Sequence, residues 1–408
     1  MTAARDLQSA TPEQVGLSLE GLEAVDAAIK QLVDQGVLAG AVTVVARHGR
    51  TVRINPMGVK DLLTSEPMQA DTLFRIFSMT KPITASAMMI LFDEGKWTLD
   101  DPIAKHLPEL TDLQVIASFN PDGSYITEPA QQAPTMRQLM THTAGFGYGL
   151  MPAKPMDALY QNVKLWKADN AEEFRSRLSQ VPLSYQPGAK WEYSLSMDLQ
   201  GAIIEKLSGQ TLADFMQARL FGPLGMQDTA FYTPPEKLPR RATLYFSDKK
   251  GPLVPMANPL IPDHQSPPGF ASGGAGLVST ALDYARYAQM LLNGGEFGGK
   301  RILSSDAVKL QMTNHLPDEM METGYVAGHQ KIRPGFGYGL NGVVFTDPVL
   351  AGIPVGKGTY HWDGAAGTWF WVDPTNDLLY VGMIQLLSFT PPPLQATTQT
   401  LMANAIVA

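Results

Sequence analysis

The spacing of apolar and polar positions predicts a chain that mixes helices and strands. In residues 17–36, apolar side chains recur every three or four positions, which predicts an amphipathic helix. The apolar, β-branched run at 39–46 precedes the turn residues 48–50, and this order predicts a strand that opens a hairpin. Two late runs, 367–372 and 378–385, are rich in aromatic and branched residues and predict two further strands.

The middle of the chain is richer in helical patterns. Residues 72–77 lead into a predicted helix that runs from Ser78 to about Glu94, where Gly95 is a stop signal. Pro82 is compatible with this helix only in its first turn, where a missing N–H costs no hydrogen bond.

Further along the chain, the segment 118–134 is polar and rich in turn residues. Beyond residue 225 the pattern predicts strands and loops with one helix at 282–292, and the chain closes with a possible helix at 394–407. No internal repeat or low-complexity linker interrupts it. We therefore expect residues 1–75 and 220–408 to form one discontinuous α/β domain, and residues 76–219 to form a mainly helical domain with the active site between them.

Composition narrows the class of protein. The 408 residues are 44% hydrophobic and 17% charged, which is enough apolar material for a large core. The net charge of −8 argues against a nucleic-acid partner, because phosphate backbones require positive charge. There is no cysteine, so disulfides and thiolate chemistry are excluded. No apolar run has a membrane-spanning length, and the first 16 residues do not resemble a signal peptide, so we expect a cytoplasmic protein.

Ser78 and Lys81 are the first candidates for chemistry. Residues three apart share a face at the start of a helix, so the Lys81 amine can reach the Ser78 hydroxyl. A serine attacks only when a neighbouring base takes its proton, and a lysine is such a base when its pKa is lowered. The alternative is that Ser78 merely caps the helix. A second S-x-x-K match starts at Ser247, but it lies in a charged segment and is interpreted as a solvated turn.

The surroundings of Ser78 resemble the nucleophile segment of the class C β-lactamase-like family, which includes D,D-peptidases and the family VIII carboxylesterases. Further similar segments follow in family order and together span about residues 20–390. The segments are 74–82, 139–146, 186–188 with 191–194, 221–226, 273–277 and 361–368.

The resemblance implies that Tyr193 is the second catalytic residue, in the position of the family's Tyr-x-Asn motif. A tyrosine near Ser78 and Lys81 could relay a proton to the leaving alcohol. The alternative is that Tyr193 is simply a packed aromatic residue. Here Leu195 replaces the Asn, whose amide binds the substrate amide in lactam-handling members. Lys81 and Tyr193 both remain possible as the general base, because the two groups would titrate together.

The family's Lys-Thr-Gly strand is replaced by Trp362-Asp363-Gly364, as in the esterase branch. Trp362 offers an apolar wall where lactam-handling members have a cation for the substrate carboxylate, which favours neutral esters. Asp363 would repel a carboxylate if it faces the pocket, and Gly364 permits close backbone approach. The backbone N–H groups of Ser78 and Ala365 are the expected oxyanion hole.

No other motif in the sequence indicates a different catalytic centre. The chain has no G-x-S-x-G elbow and no metal-ligand spacing among its seven histidines, so neither a metal nor an organic cofactor is expected. We interpret His142 as structural, and His361 as a surface residue or one that supports its neighbours. Phe146 and Tyr148 could line a substrate pocket with some of the methionines. The glycine cluster 273–276 indicates tight backbone packing near the site.

The resemblance implies an antiparallel sheet flanked by helices with a mainly helical second lobe, the β-lactamase/transpeptidase type. It implies a serine carboxylesterase that hydrolyses small-molecule, short-chain esters through an acyl-enzyme on Ser78. Three alternatives stay open: a β-lactamase or D,D-peptidase, an acyltransferase, and an acylated sensor or structural relative that does not turn over. The pattern does not predict an oligomeric state.

Overall fold

The computed structural model describes residues 5–150, 154–248, 251–257, 264–322, 325–327 and 330–407. Helices and strands alternate throughout this part of the chain. The helices are α1 Leu19–Asp34, α2 Thr80–Asp93, α3 Met136–Met140, α4 Pro155–Asn162, α5 Ala171–Leu178, α6 Ser196–Ser208, α7 Leu212–Met216, α8 Gly222–Leu224, α9 Ala281–Leu292, α10 Ser305–Gln311, α11 Asp318–Glu322, α12 Pro348–Ala351 and α13 Leu394–Ala405.

The strands are β1 Gln8–Ser9, β2 Gly40–Arg47, β3 Arg50–Asp61, β4 Glu66–Pro67, β5 Phe74–Arg75, β6 Gln114–Phe119, β7 Tyr125–Pro129, β8 Tyr245–Ser247, β9 Val254–Pro255, β10 Val278–Ser279, β11 Glu296–Phe297, β12 Lys300–Arg301, β13 Tyr325–Ala327, β14 Gln330–Ile332, β15 Phe336–Tyr338, β16 Val343–Phe345, β17 Tyr360–Asp363, β18 Trp369–Asp373, β19 Leu378–Met383 and β20 Leu386–Ser388.

One large sheet organises the molecule. Its strand order is β1-β3-β2-β19-β18-β17-β16-β15, and β4 pairs with β3 outside this path. All of these pairs are antiparallel except β1 with β3. The N-terminal hairpin β2–β3 therefore joins the C-terminal strands through the β2–β19 pair. Both ends of the chain build the sheet, as the predicted discontinuous domain requires, although the domain boundaries stay a prediction.

Helices cover both faces of this sheet. Helices α1 and α13 pack together and enclose one apolar core with Trp371 and Tyr380 of the sheet. On the other face, α9 contacts β18 and β19, and a larger core continues from there into the helical region around α2 and α6. Because β2, β18 and β19 are buried on both faces, they are continuous apolar runs with no alternation.

Helix α2 carries the candidate nucleophile region and lies at the centre of the molecule. Residues 80–91 are buried on every side of the helix, which explains why its sequence has no polar stripe. It packs against α6 and α10. Pro82 is the third residue of the helix, within the first turn as predicted. A short 3₁₀ segment, Phe77–Met79, precedes it and contains Ser78.

Most predicted elements are present, and the mixed α/β fold class is confirmed. Two local predictions were wrong, and strands occur in one segment where none was predicted. The polar segment 118–134 contributes to the hairpin β6–β7, whose strand β7 is fully exposed and so lacks an apolar signal. Beyond residue 225 the described residues form three helices that were not predicted, α10, α11 and α12, and each is seven residues or shorter. Ser247 ends strand β8 and is buried, whereas Lys249 and Lys250 lie outside the described residues.

Candidate active site

Ser78 lies at the junction between β5 and α2. The preceding residue, Phe77, has a φ of 44°, in the left-handed region that bulky residues rarely adopt. The Phe77 ring is held in a small cluster with Leu244 and Ala366, which supports this conformation. Ser78 itself is partly exposed, whereas its neighbours Phe77 and Met79 are buried. The backbone thus presents the Ser78 hydroxyl at the surface of an otherwise closed core.

Two of the predicted side chains meet at the Ser78 hydroxyl. The Tyr193 hydroxyl lies 2.7 Å from Ser78 Oγ, and Lys81 Nζ lies 3.1 Å from the same atom. Lys81 Nζ also contacts the Gly274 carbonyl oxygen at 2.8 Å and the Tyr148 hydroxyl at 3.2 Å. The structure therefore brings Ser78 and Lys81 together with Tyr193, from a second segment of the chain, and both side chains lie within hydrogen-bond distance of Ser78 Oγ.

Burial changes the acid–base properties of Lys81. The side chain is fully buried, and this desolvation lowers its pKa to about 7, although the negative charges of Asp198 and Asp363 act in the opposite direction. A lysine in water is almost entirely protonated at neutral pH. Here a large fraction of Lys81 is the neutral amine at neutral pH, which is the form that can accept a proton.

The pKa of Tyr193 is shifted in the opposite direction. Burial raises its pKa above the ordinary value for tyrosine, while the hydrogen bond with Ser78 acts to lower it. Its ring lies 4.6 Å from Lys81 Nζ and 5.8 Å from the Trp362 ring, so it is enclosed between the lysine and strand β17. Tyr193 is therefore a protonated hydroxyl at neutral pH.

For three residues of the site, the sequence did not predict a role around Lys81. Tyr148 was predicted only as a pocket residue, but its hydroxyl contacts Lys81 Nζ. Gly274 supplies the carbonyl that binds Lys81, and the glycine cluster 273–276 was the signal for this close approach. Asp198, on α6, binds Ser272 and the Gly274 N–H. No motif marked Asp198, because its role depends on two segments that are distant in sequence.

The predicted oxyanion region lies at the end of β17. A Cβ atom on Gly364 would approach the Ile76 carbonyl oxygen to 2.3 Å, so only glycine allows β17 to lie this close to the nucleophile segment. The turn after it is closed by the Gly367 N–H donating to the Gly364 carbonyl at 2.8 Å. Ser78 and Ala365 lie on the two segments that meet here, so their backbone N–H groups stay the predicted oxyanion hole.

Tyr148, whose hydroxyl contacts Lys81 Nζ, lines a cavity of about 420 Å³. Aromatic and apolar groups form most of its wall, and Lys167, Asp169 and His264 add polar groups. The aromatic and apolar residues are Tyr148, Leu150, Trp166, Phe231, Phe270 and Ala275. Successive ring contacts connect Tyr193 to Tyr148 at 5.3 Å and Tyr148 to Trp166 at 5.8 Å. Ser78, Lys81 and Tyr193 do not line this cavity themselves, but Tyr148 connects them to an apolar chamber large enough for a small molecule.

The predicted substrate-binding residues divide into two groups. Tyr148 lines this cavity, and Trp362 faces Tyr193. Phe146 and Leu195 are buried in the main core and are not among the residues that line this cavity, so their contact with substrate stays a prediction. Asp363 and Gly364 border a separate cavity of about 360 Å³ beside α13.

The two histidines interpreted from the sequence, His142 and His361, are both buried. His142 Nδ1 lies 2.8 Å from Ser194 Oγ, and burial followed by the charge of Lys81 holds its pKa well below the ordinary value. His142 therefore stays neutral and packs against the Tyr193 ring, consistent with a structural role. His361 is 1% exposed, so the expectation of a surface position was wrong. It contacts Gln395 of α13, and burial lowers its pKa to about 3.

The described residues contain no group of three or more His, Asp or Glu side chains placed to hold a metal ion. None of their helices combines the length and the hydropathy that crossing a membrane requires.

Comparison with known proteins now identifies the family. The model of the beta-lactamase family matches residues 25–404. The chain belongs to the beta-lactamase family. Protein Rv1367c of Mycobacterium tuberculosis is 38% identical over 370 residues, which cover 89% of this chain and 90% of that protein. Esterase EstB of Burkholderia gladioli is 33% identical over 391 residues, covering 91% of each chain.

Among solved structures, EstCE1 superimposes with a TM-score of 0.76 at 26% identity, covering 95% of this chain and 98% of that one. It is described as a hydrolase with promiscuous acyltransferase activity. These relatives make this member of the beta-lactamase family a serine hydrolase close to the family VIII esterases. The fold is the β-lactamase/transpeptidase type that the sequence motifs implied.

Proposed function

We propose that this protein is a serine carboxylesterase in which Ser78 is acylated by the ester. The observation that carries the proposal is the hydrogen-bonded group at Ser78 Oγ, with Tyr193 at 2.7 Å and Lys81 at 3.1 Å. Acyl transfer requires a nucleophilic serine, a base whose pKa lies near the working pH and a second proton donor.

The hydrogen bonds favour Lys81 as the base. A neutral amine has two N–H groups and one lone pair. The Gly274 carbonyl can only accept a hydrogen bond, and the Tyr148 hydroxyl can accept one, so these contacts occupy the two N–H groups. The lone pair is then directed to the Ser78 proton. Tyr193, whose pKa is raised by burial, keeps its own proton, and its hydroxyl donates a hydrogen bond to Ser78 Oγ.

The reaction then follows in two steps. Lys81 takes the Ser78 proton as Oγ bonds to the ester carbonyl carbon, and the Ser78 and Ala365 amides hold the resulting oxyanion. The bond to the leaving oxygen breaks, and the alcohol leaves with a proton relayed from Lys81 through Tyr193. Water then attacks the carbonyl carbon of the acyl-enzyme, and its proton passes through Tyr193 to Lys81, the reverse of this relay. The acid leaves, and Ser78 regains its proton.

Esters fit the surroundings better than β-lactams. The indole of Trp362 lies against Tyr193, where lactam-handling members are expected to place a cation. Leu195 is buried and offers no amide to a lactam side chain. The 420 Å³ aromatic cavity has room for more than an acetyl group. Within the expected short-chain range we therefore propose a preference for butyryl over acetyl esters.

The test compares hydrolysis of p-nitrophenyl acetate, p-nitrophenyl butyrate and nitrocefin by the wild type. The proposal predicts higher kcat/KM for butyrate than for acetate, and slow turnover of nitrocefin. Ser78→Ala should abolish all three activities, whereas Ser247→Ala, in the second S-x-x-K match, should retain them. Faster turnover of nitrocefin would instead favour a β-lactamase, and stoichiometric labelling without turnover would favour a sensor.

Acyl transfer is a second candidate, because EstCE1 is described as having promiscuous acyltransferase activity. Hydrolysis and transfer share the acyl-enzyme and differ only in whether water or an alcohol attacks it. Product analysis with added alcohols separates them. An ester product formed in water at moderate alcohol concentration would favour a transferase, and free acid alone would favour a hydrolase.

A further inference from the structure

Asp198 is a fully buried carboxylate close to Lys81. It lies in the first turn of α6, and its side chain has no exposed surface. Asp198 Oδ1 accepts hydrogen bonds from Ser272 Oγ at 2.5 Å and from the Gly274 N–H at 3.1 Å. Oδ2 has no hydrogen-bond partner among the described residues. A buried carboxylate with one unpaired oxygen is costly, so it requires an explanation beyond packing.

The Gly274 residue links Asp198 to the proposed base. Its N–H donates to Asp198, and its carbonyl oxygen accepts from Lys81 Nζ at 2.8 Å. A Cβ atom at position 274 would lie 2.6 Å from Asp198 Oδ2, so the carboxylate can approach only because this residue is glycine. The neighbouring Gly273 carbonyl is fixed by Thr84 Oγ1 at 2.7 Å. Asp198 thus holds a rigid loop whose carbonyl holds Lys81.

The charge of Asp198 also acts on Lys81 directly. The ionisable groups that face Lys81 are Asp198 from α6, Asp363 from β17, the hydroxyls of Tyr148 and Tyr193, and the His142 ring. Burial keeps both tyrosines and His142 neutral, so the two carboxylates are the groups that can carry negative charge. Burial also raises the pKa of Asp198, while the charge of Lys81 and the hydrogen bonds from Ser272 and Gly274 lower it and favour the carboxylate. Of the two, Asp198 is the fully buried one, where a charge is screened least by water.

We propose that Asp198 is a positioning residue for the Ser78 and Lys81 pair. It orients the Lys81 amine through the Gly274 peptide, and its buried negative charge sets the pH range in which that amine loses its proton. This inference rests on the proposed role of Lys81 as the base. It predicts that the charge and the hydrogen bonds of Asp198 have separable effects.

The test measures how fast a fluorophosphonate labels Ser78 as a function of pH. In this reaction the Ser78 oxygen bonds to phosphorus, fluoride leaves, and Lys81 takes the serine proton, so the rate should rise as Lys81 becomes neutral. The probe needs no ester preference. Failure to hydrolyse esters, with normal labelling, would overturn the proposed esterase function and leave the role of Asp198 testable. No Ser78 labelling at any pH would contradict both.

Asp198→Asn keeps an oxygen for Ser272 and Gly274 but removes the charge. Because an opposite charge favours the protonated amine, its loss should move the midpoint of the labelling profile to lower pH by about one unit. Ser272→Ala keeps the charge and should move the midpoint less. An unmoved midpoint in Asp198→Asn, or equal shifts in the two variants, would overturn the proposed role of the charge.

Asp283→Asn is the matched control. Asp283 is also a buried carboxylate in the first turn of a helix, and it accepts from the Asp228 N–H at 2.8 Å and from Thr229 Oγ1 at 2.9 Å. It is not among the groups that face Lys81. Its substitution should lower stability without moving the midpoint. A shift as large as that of Asp198→Asn would show that any buried carboxylate has this effect, and would contradict the proposal.

Discussion

At the scale of single residues, the chemistry depends on two opposite pKa shifts with one cause. Burial disfavours the charged form of each side chain, so it lowers the pKa of Lys81 to about 7 and raises that of Tyr193. The result is a neutral amine beside a neutral phenol, both directed at Ser78 Oγ. On an exposed surface the phenol would also be neutral at pH 7, but the lysine would be almost entirely protonated.

The first prediction concerns the pH dependence of kcat/KM. Below its pKa Lys81 carries a proton and cannot accept another, so activity should fall as the pH is lowered through about 7. Tyr193 keeps its proton well above pH 9, so the rate should stay high from pH 8 to pH 9. The profile should be measured with p-nitrophenyl butyrate after correction for its spontaneous hydrolysis. A rate that rises as the pH falls below 7 would exclude Lys81 as the base.

The second prediction concerns the Tyr193 hydroxyl. Tyr193→Phe removes the hydrogen bond to Ser78 and the proposed proton relay but keeps the ring in the aromatic cluster. We expect kcat to fall by about 100- to 10,000-fold, with little change in the free energy of unfolding. Tyr360→Phe is the control, because this buried hydroxyl donates to the Leu340 carbonyl and is not bonded to Ser78. Equal activity of Tyr193→Phe and the wild type would refute the relay.

At the scale of elements, the site depends on how closely separate segments approach. Ser78 lies in the 3₁₀ segment before α2, and Lys81 lies in the first turn of α2. Tyr193 lies just before α6, whose first turn carries Asp198, and Gly274 lies in the loop before β10. Glycine is required where two of them meet, since any Cβ on Gly274 would approach the Asp198 carboxylate. Small shifts of these elements should therefore affect catalysis more than stability.

The third prediction uses Gly274→Ala to test whether the close approach of these segments is needed for catalysis. The added methyl group would lie 2.6 Å from Asp198 Oδ2, so the loop must move and take the carbonyl ligand of Lys81 with it. We expect a fall in kcat of about 100-fold, as for other small misplacements of catalytic groups. Gly209→Ala, with a φ of 71° and no atom within 4 Å of its Cβ, should lower the melting temperature without changing kcat. Unchanged kcat in Gly274→Ala would contradict the role of this loop.

At the scale of the whole molecule, the sequence is most informative where a pattern is local. The helix at 19–34, the hairpin β2–β3 and the two late strands follow from apolar spacing, and the S-x-x-K pair follows from helix geometry. The exposed strand β7 and the short helices α10 to α12 do not, because they lack an apolar period long enough to detect.

The candidate site shows the same division. Ser78, Lys81 and Tyr193 were found through motifs, and the structure brings them together. The contacts that tune them were not found, because Asp198 and Gly274 are more than 100 residues from Lys81 in sequence and meet it only in the fold. Leu195 shows the converse. Its motif position suggested a pocket residue, but its side chain is fully buried in the core.

The central claim is that an ester acylates Ser78. The most direct measurement is rapid mixing of the wild type with p-nitrophenyl butyrate, acid quenching within the first turnover, and peptide mass spectrometry. The account predicts a butyryl group on Ser78 that forms with the burst of p-nitrophenol, is absent in Ser78→Ala and persists in Ser247→Ala. A butyryl group on another residue, or turnover of the ester by Ser78→Ala at the wild-type rate, would contradict it.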